Sequence, residues 1–140
     1  MKTFFDSSAF AKRFVEEEGS EIVEEICLNT TSLALSIICV PEIISALNRR
    51  LREENIDQGH YHIAKTRILE EIEDIIILNI TPAVISKSTE MLENNILKAM
   101  DALHLACAIE WEPDLFVSSD IRQTEAAQKA GLQTRFIESP

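Results

Sequence analysis

The fold is decided by the stretch Ile75-Ile76-Ile77-Leu78-Asn79-Ile80, an almost uninterrupted apolar run rich in β-branched residues. Such a run, with no alternation of polar and apolar residues, is typical of a strand that is buried on both faces of a parallel sheet. Thr81 and Pro82 follow at once, a helix-capping residue and then a residue that is tolerated in the first turn of a helix. The stretch therefore predicts a buried parallel strand followed by a helix to about Glu93.

Strands and helices alternate along the rest of the chain. Apolar residues at helical spacing indicate helices, and short apolar segments between them indicate strands. The predicted strands are 3–5, 33–37, 75–80, 115–118 and 134–137, and the predicted helices are one capped by Ser7 or Ser8 and ending at Val15, then 20–28, 41–55, 57–73, 82–93, 99–111 and 120–130. This alternation predicts a mostly parallel, three-layer α/β sheet.

Length and composition indicate a globular protein. A chain of 140 residues with 46% hydrophobic and 26% charged residues is expected to form one domain over residues 1–140. No apolar run is long enough to cross a membrane and no signal peptide opens the chain, which favours the cytoplasm. The three cysteines, Cys27, Cys39 and Cys107, form no CxxC pair and lie in apolar surroundings, so we expect reduced, buried thiols.

The net charge of −11 limits the kinds of partner that the protein can bind. Unspecific affinity for nucleic acid comes from Lys and Arg, so the charge argues against a general nucleic-acid binder. It does not exclude a nuclease, because metal ions and a few local basic residues can hold a phosphodiester. An acidic surface also suits a basic protein partner.

Four acidic residues stand where an α/β domain has little structural need for them. They are Asp6 after the first strand, Glu42 at the start of a helix, Asp101 in the apolar helix 99–111, and Asp120 after the strand 115–118. Strand ends and helix starts converge on one edge of an α/β sheet, where such folds bind their ligands. Carboxylates gathered there repel one another unless a cation lies between them, and Mg²⁺ and Mn²⁺ prefer oxygen ligands. The pattern predicts a metal site with phosphodiester chemistry.

Each of three acidic residues also has a purely structural interpretation. Asp6 could cap the following helix, although Ser7 and Ser8 are available for that task. Glu42 complements the dipole at a helix N-terminus, which is a sufficient reason for it when it is taken alone. Asp120, with Gln123 three residues later, resembles a capping box. Their joint placement, rather than any one of them, favours the metal site.

Asp101 lacks such an interpretation. A carboxylate in a helix that is buried on most sides needs a partner, and the nearby sequence offers only Lys98 or a metal ion. His104, one turn later, could hydrogen-bond to Asp101, but a satisfied core histidine is the favoured interpretation. His60 and His62 are two residues apart, so they point to different faces of a helix and make a poor metal pair.

Polar residues next to the acidic positions leave two interpretations open. Serines flank Asp6 and Asp120, and they are either hydrogen-bond donors to these carboxylates or helix caps. These serines are Ser7, Ser8, Ser118 and Ser119. A basic cluster, Arg49, Arg50 and Arg52, lies one to three turns after Glu42. Such clusters are usually solvated, but this one is well placed to meet a backbone phosphate.

These residues together resemble the PIN-domain ribonucleases, specifically the VapC-type toxins of prokaryotic toxin–antitoxin pairs. The resemblance covers essentially the whole chain, with the motifs in order and at compatible spacings, and the Asp-Ala-Leu-His-Leu-Ala string is the most specific part. The similar segments are Phe5-Asp6-Ser7-Ser8-Ala9, Pro41-Glu42, Met100-Asp101-Ala102-Leu103-His104-Leu105-Ala106 and Phe116-Val117-Ser118-Ser119-Asp120. One departure is Lys98, where many relatives carry Arg.

The resemblance implies a fold, an activity and partners. It implies a five-stranded parallel sheet flanked by helices, with Mg²⁺ or Mn²⁺ held mainly by Asp6 and Asp101 and with Glu42 and Asp120 completing the site. The implied reaction is endonucleolytic cleavage of RNA by metal-activated water. A cognate antitoxin would neutralise the enzyme, and relatives commonly form homodimers.

Other protein classes fit less well. A phospho-receiver needs an acidic pair after the first strand and a Lys near the last strand, and neither is present. An aspartyl-phosphate phosphatase needs a second Asp two residues after the first, but that position is Ser8. A housekeeping PIN nuclease, or a catalytically silent acidic PIN domain that only binds a partner, stays open as an alternative.

Overall fold

All five strands run parallel in one sheet, in the order β3-β2-β1-β4-β5. A computed structural model describes residues 1–140. The strands are β1 (Lys2–Phe5), β2 (Ser32–Ser36), β3 (Ile76–Leu78), β4 (Leu115–Ser118) and β5 (Thr134–Phe136). The predicted five-stranded parallel sheet is thus confirmed, with each strand within a few residues of its predicted bounds.

Seven helices connect the strands and cover the sheet. They are α1 (Ser7–Phe10), α2 (Ser20–Leu28), α3 (Cys39–Arg52), α4 (Gln58–Glu71), α5 (Pro82–Asn94), α6 (Ala99–Trp111) and α7 (Ile121–Lys129). One buried apolar cluster joins the sheet to α1–α4, and a second joins it to α5–α7. This arrangement is the predicted three-layer α/β/α architecture.

The central strand β1 contributes to both cores because its side chains alternate between the faces of the sheet. Phe5 packs in the cluster with α1–α4, whereas Phe4 packs in the cluster with α5–α7, and both are fully buried. Phe4 stacks on Phe116 of β4 with ring centroids 5.7 Å apart. Since burial of a Phe side chain stabilises a protein by roughly 1.5–3 kcal/mol, these rings fix β1 firmly between its neighbours.

The strand β3 lies at an edge of the sheet, and it is shorter and more exposed than the prediction of a buried strand over 75–80, although both of its faces are covered. The strand covers only Ile76–Leu78, and Ile76 is 42% exposed. Ile77 packs on one core cluster and Leu78 on the other, which explains the apolar run. An apolar run indicates that both faces of a strand are covered. It does not indicate whether another strand pairs with each of its two edges.

The helix after β1 is shorter than predicted and has a different cap. α1 ends at Phe10 and continues as a short 3₁₀ turn over Ala11–Arg13, rather than as one helix to Val15. The N-cap is Asp6, whose side chain accepts a hydrogen bond from the backbone N–H of Ala9. The expectation that Ser7 or Ser8 caps this helix is therefore wrong, because both hydroxyls bond to side chains of the candidate site.

The helix α6 has the predicted bounds and the predicted burial. Five small or apolar side chains and His104 are buried on it, and it packs against α5, α7 and the sheet. Asp101 lies in its first turn, at the end that faces the carboxyl ends of the strands. None of the helices is both long and apolar enough to cross a membrane.

Candidate active site

The candidate site lies where the chain reverses its direction across the sheet. The chain builds β1, β2 and β3 towards one side, then returns to place β4 on the other side of β1. Loops leave the carboxyl ends of β1 and β4 in opposite directions, which opens a crevice between them. Asp6 directly follows β1, and Asp120 follows β4 by two residues. The predicted convergence of these two residues on one edge follows from this topology.

Asp6 is a buried carboxylate surrounded by hydrogen-bond donors. Ser118 Oγ donates to its Oδ2 at 2.6 Å, the backbone N–H of Ala9 donates to Oδ1 at 3.0 Å, and Ser8 Oγ lies 2.8 Å from each oxygen. Burial raises the pKa of Asp6 from 3.8 to about 6, although these donors and the nearby His104 lower it. The carboxylate is therefore fixed in place but is only partly stabilised as an anion.

Two serines connect Asp6 to the loop that carries Asp120. Ser118 Oγ accepts a hydrogen bond from the backbone N–H of Asp120 at 2.9 Å, and Ser8 Oγ accepts one from the backbone N–H of Ser119 at 2.9 Å. Of the two interpretations left open for Ser8 and Ser118, donation to a carboxylate is the one observed. Asp6 and the start of α7 are therefore held as one unit.

Glu42 approaches the same edge from the first turn of α3. Its Oε1 accepts a hydrogen bond from Ser7 Oγ at 2.7 Å and also contacts His104 Nε2. Burial alone raises the pKa of Glu42, but the hydrogen bonds from His104 and Ser7 outweigh it, and the net pKa is lower than usual. Glu42 is therefore held as an anion.

His104 connects three elements through one ring. Its Nε2 contacts Glu42 of α3 and lies 3.1 Å from Ser7 Oγ of α1, and its Nδ1 lies 2.9 Å from Ser36 Oγ at the end of β2. The predicted satisfied core histidine is confirmed, since His104 is buried and both ring nitrogens have partners. Its partner is Glu42 rather than Asp101. No pattern in the sequence predicts this contact, apart from the placement of His104 one turn from Asp101.

Asp101 lies in the first turn of α6, and Asp120 lies at the start of α7. Burial raises the pKa of Asp101 above its usual value, and the charge of Asp120 and then that of Glu42 raise it further. Asp120 is the N-cap of α7, as the capping-box interpretation predicts, because its Oδ1 accepts from the backbone N–H of Gln123 at 3.0 Å. Gln123 and His104 lower the pKa of Asp101, but they do not offset burial and the two negative charges.

Gln123 contacts both Asp101 and Asp120. From the sequence, Gln123 is predicted only as a capping partner of Asp120. Its Nε2 donates to the backbone carbonyl of Asp101 at 3.3 Å, which joins the start of α6 to the start of α7. The Gln123 side chain is buried, and its Oε1 has no hydrogen-bond partner. The buried Ser119 Oγ beside the site also lacks one. Unsatisfied buried oxygens of this kind are uncommon in proteins.

The carboxylates suit a hard divalent cation by their chemistry, although they are not gathered into a finished metal site. No group of three or more His, Cys, Asp or Glu side chains is arranged to hold a metal ion. The donors are all oxygens, as Mg²⁺ and Mn²⁺ prefer, and Lys98 forms no ion pair with Asp101 or Asp120. The single hydroxyl proton of Ser8 can bond to only one of the two Asp6 oxygens at a time. With Ser8, Ser118 and the N–H of Ala9 as donors, one of the roughly four lone pairs of the carboxylate stays available. The donor set therefore fits such an ion.

The family of this chain follows from comparison with known proteins. The model of the PIN domain matches residues 3–129. No curated protein sequence is similar enough to this chain to count as a match. Solved structures do match, and the examples that follow are 12–17% identical to this chain, so they show a common fold.

Three bacterial structures illustrate the fold similarity. VapC20 of Mycobacterium tuberculosis, a sarcin–ricin loop cleaving toxin, has a TM-score of 0.68 at 17% identity and covers 99% of both chains. FitAcB from Neisseria gonorrhoeae has a TM-score of 0.70 at 14% identity, covering 94% of this chain and 95% of that one. VapBC2 from Rickettsia felis, bound to a DNA fragment from its promoter, has a TM-score of 0.69 at 12% identity, covering 99% and 100%.

The family match spans all four acidic positions and every strand from β1 to β4. It agrees with the sheet order, the motifs at the strand ends and the fold similarity. This chain belongs to the PIN domain family.

Proposed function

We propose that this protein is a metal-dependent endoribonuclease that acts as the toxin of a toxin–antitoxin pair. The observation that carries the proposal is a hydrogen-bond network at the carboxyl ends of the strands. Serines and Gln123 link the positions of Asp6, Glu42, Asp101 and Asp120 there, and the charges of Asp120 and Glu42 raise the pKa of Asp101. Repulsion of this kind is relieved by a cation, and PIN domains are nucleases.

The four carboxylates have different tasks in the proposed site. Asp6 and Asp101 would hold Mg²⁺ or Mn²⁺ directly, and Glu42 and Asp120 would complete the site directly or through water. A bound ion of this kind activates water as a nucleophile and stabilises the negative charge that develops on the phosphate. Hard divalent ions match this all-oxygen set.

The remaining residues prepare the carboxylates for that task. Ser8, Ser118 and the N–H of Ala9 orient the carboxylate of Asp6. His104 and Ser7 hold Glu42 as an anion and fix its rotamer. Gln123 joins the backbone at Asp101 to the cap of α7. Prior orientation of this kind lowers the cost of assembling the site around substrate.

RNA as the substrate and a protein antitoxin as the partner are supported by the similar structures. One of them is a toxin that cleaves the sarcin–ricin loop, and others are toxin–antitoxin complexes. The net charge of −11 favours a partner that inserts an Arg or Lys side chain among the carboxylates, which would displace the ion and block the crevice. The exposed side chains of Ile85 and Leu92, seven residues apart on α5, suit a homodimer contact.

The enzymatic proposal is tested by RNA cleavage. The purified protein, freed of any antitoxin, is expected to cut RNA with Mg²⁺ or Mn²⁺ and to lose this activity in chelator. Asp101→Asn should be inactive, whereas Glu110→Gln, which changes an exposed carboxylate on the same helix, should keep full activity. Undiminished cleavage in chelator would contradict the metal-dependent mechanism.

The toxin proposal is tested in cells. Expression of the wild-type protein alone should slow growth, and co-expression of a small neighbouring gene should restore it. Asp101→Asn should be harmless at the same protein level. If a soluble, RNA-cleaving wild-type protein does not affect growth, a housekeeping PIN nuclease becomes the better interpretation.

A further inference from the structure

Of the three arginines near the end of α3, Arg49, Arg50 and Arg52, only Arg50 forms an ion pair. Arg50 Nη2 lies 2.9 Å from Glu17 Oε2, and the other oxygen of Glu17 lies 3.0 Å from Nζ of the buried Lys12. The charge of Arg50 is therefore used within the fold. Arg49 and Arg52, by contrast, take part in no ion pair. The Lys and Arg side chains that do form ion pairs are Lys12, Arg13, Arg50, Arg67 and Lys87.

Helix geometry separates the two remaining arginines. Arg49 follows Glu42 by seven residues, which is nearly two full turns, so the two side chains lie on the same face of α3. At about 1.5 Å per residue, Arg49 stands roughly 10 Å along the helix from Glu42. Arg52 follows Glu42 by ten residues and is turned roughly 80° away from that face. Of these two arginines, only Arg49 lies on the same face of α3 as Glu42.

A groove connects Glu42 with Arg49. It has a volume of about 350 Å³ between α1 and α3, and its lining includes Ser7, Ser8, Ala11, Glu42, Ser45 and Arg49. Small side chains along the groove leave room for a polymer backbone to come close to the helices. At one end it meets the site itself, because Ser7 is hydrogen-bonded to Glu42 and Ser8 to Asp6.

We infer that this groove holds the RNA strand next to the scissile bond and that Arg49 binds a backbone phosphate there; this inference rests on the proposed nuclease function. A planar guanidinium binds phosphate oxygens in bidentate geometry. A chain with a net charge of −11 needs local cations to hold a polyanion close to four carboxylates. Arg49 supplies such a cation, continuous with the site and free of any internal partner.

The contact is tested by RNA binding in the cleavage-deficient Asp101→Asn protein. Fluorescence anisotropy with a labelled single-stranded RNA of mixed sequence would compare Arg49→Gln with the control Arg52→Gln, an exposed arginine on the same helix. We expect Arg49→Gln to raise the Kd about tenfold and to reduce the salt dependence, the slope of log Kd against log salt, by about 0.7. Arg52→Gln should change the Kd by less than about twofold and should leave the slope unchanged.

The same pair is then measured for cleavage with Asp101 intact. Arg49 touches no reacting group, so Arg49→Gln should raise KM and leave kcat within about twofold, and Arg49→Lys should restore part of the lost affinity because it keeps the charge. If the wild type cuts RNA but Arg49→Gln matches Arg52→Gln in both assays, the inference is wrong while the proposed function stands. If Arg49→Gln leaves RNA affinity unchanged but abolishes neutralisation by the antitoxin, the groove binds the protein partner instead. A wild type that neither binds nor cuts RNA overturns both.

Discussion

The two halves of the candidate site hold their carboxylates in different ways. Asp6 and Glu42, here called the tied pair, accept hydrogen bonds from serine hydroxyls, a backbone N–H and an imidazole. Asp101 and Asp120, here called the open pair, are bound by no hydroxyl, and the charge of Asp120 raises the pKa of Asp101. The tied pair is positioned by the protein itself. The open pair lies at two helix starts, where only the Asp120 carboxylate has a backbone donor, the N–H of Gln123. In the proposed function a cation would offset the repulsion between these two carboxylates.

The largest effect is expected from Asp101→Asn, which removes one charge of the open pair. Cleavage should fall by more than the roughly 10–100-fold that the loss of a group behind a metal ligand costs. Stability in chelator should stay equal or rise, because the repulsion with Asp120 and Glu42 disappears. RNA cleavage rates and thermal melts, each with and without Mg²⁺, measure the two effects. A variant that melts far below wild type in chelator would show that Asp101 is a structural ion-pair member instead.

The second prediction concerns Asp6 of the tied pair: its ionisation in a buried position should destabilise the protein, and Asp6→Asn should remove this effect. Since the pKa of Asp6 is raised from 3.8 to about 6, its contribution to stability is fully present below about pH 3.8 and is lost as the pH rises through about 6. Asn caps a helix as well as Asp does but does not ionise. The stability of the variant relative to wild type should therefore rise by up to about 3 kcal/mol between about pH 4 and pH 7.

Urea unfolding in chelator at several pH values measures this difference. Other titrating groups are common to both proteins, so they cancel to a first approximation. A difference that stays flat across the pH range would contradict the elevated pKa of Asp6.

A smaller effect is expected from His104→Ala, which loosens Glu42 without removing a carboxylate. Ser36, Ser7 and Glu42 would each lose a partner, at about 1–3 kcal/mol of stability for the buried groups together. Cleavage should fall roughly 10–100-fold, because Glu42 is no longer oriented. His104→Gln keeps an amide donor and should recover part of the activity.

Leu105→Ala is the control for this prediction. It removes an equally buried side chain from the neighbouring position of α6 and should reduce stability without a comparable loss of cleavage. If both variants lose activity in proportion to stability, His104 has only a packing role.

The smallest effect is expected from Ser8→Ala, which removes a single hydroxyl from the tied pair. Ser8 donates to Asp6 and lowers its pKa, so its loss should raise that pKa further and cost about 1 kcal/mol at neutral pH. Urea unfolding in chelator at several pH values measures this change, as a shift in the midpoint of the curve of stability against pH. Ser45→Ala, an exposed serine on α3, should not move it.

Much of the fold could be predicted from the sequence because it depends on local patterns. The bounds of α6 and β4 agree with prediction, and the strand ends correctly placed Asp6 and Asp120 on one edge. The position of β3 could not be predicted, since an apolar run is the same for a central strand and for an edge strand that is covered on both faces. The sequence could not decide whether Asp6 or one of its neighbouring serines caps α1, because all of them are good caps.

The internal structure of the site was less accessible from the sequence. His104 and Glu42 are 62 residues apart, and His104 and Ser36 are 68 apart. No periodicity in one sequence pairs such positions, because the contacts depend on how α3, α6 and β2 pack. Motifs in the sequence therefore identify Asp6 and Glu42 as candidate site residues, but they do not predict the contacts of His104 with Glu42 and Ser36.

The central claim, that the open pair and the tied pair together bind a divalent cation, is tested most directly by titrating Mn²⁺ into the chelator-treated protein. The electron paramagnetic resonance signal of free Mn²⁺ reports how much ion stays unbound. The wild type should remove Mn²⁺ from solution saturably, Asp101→Asn should bind it at least about tenfold more weakly, and Glu110→Gln should match the wild type. Equal binding by wild type and Asp101→Asn, or no binding by either, would contradict the account.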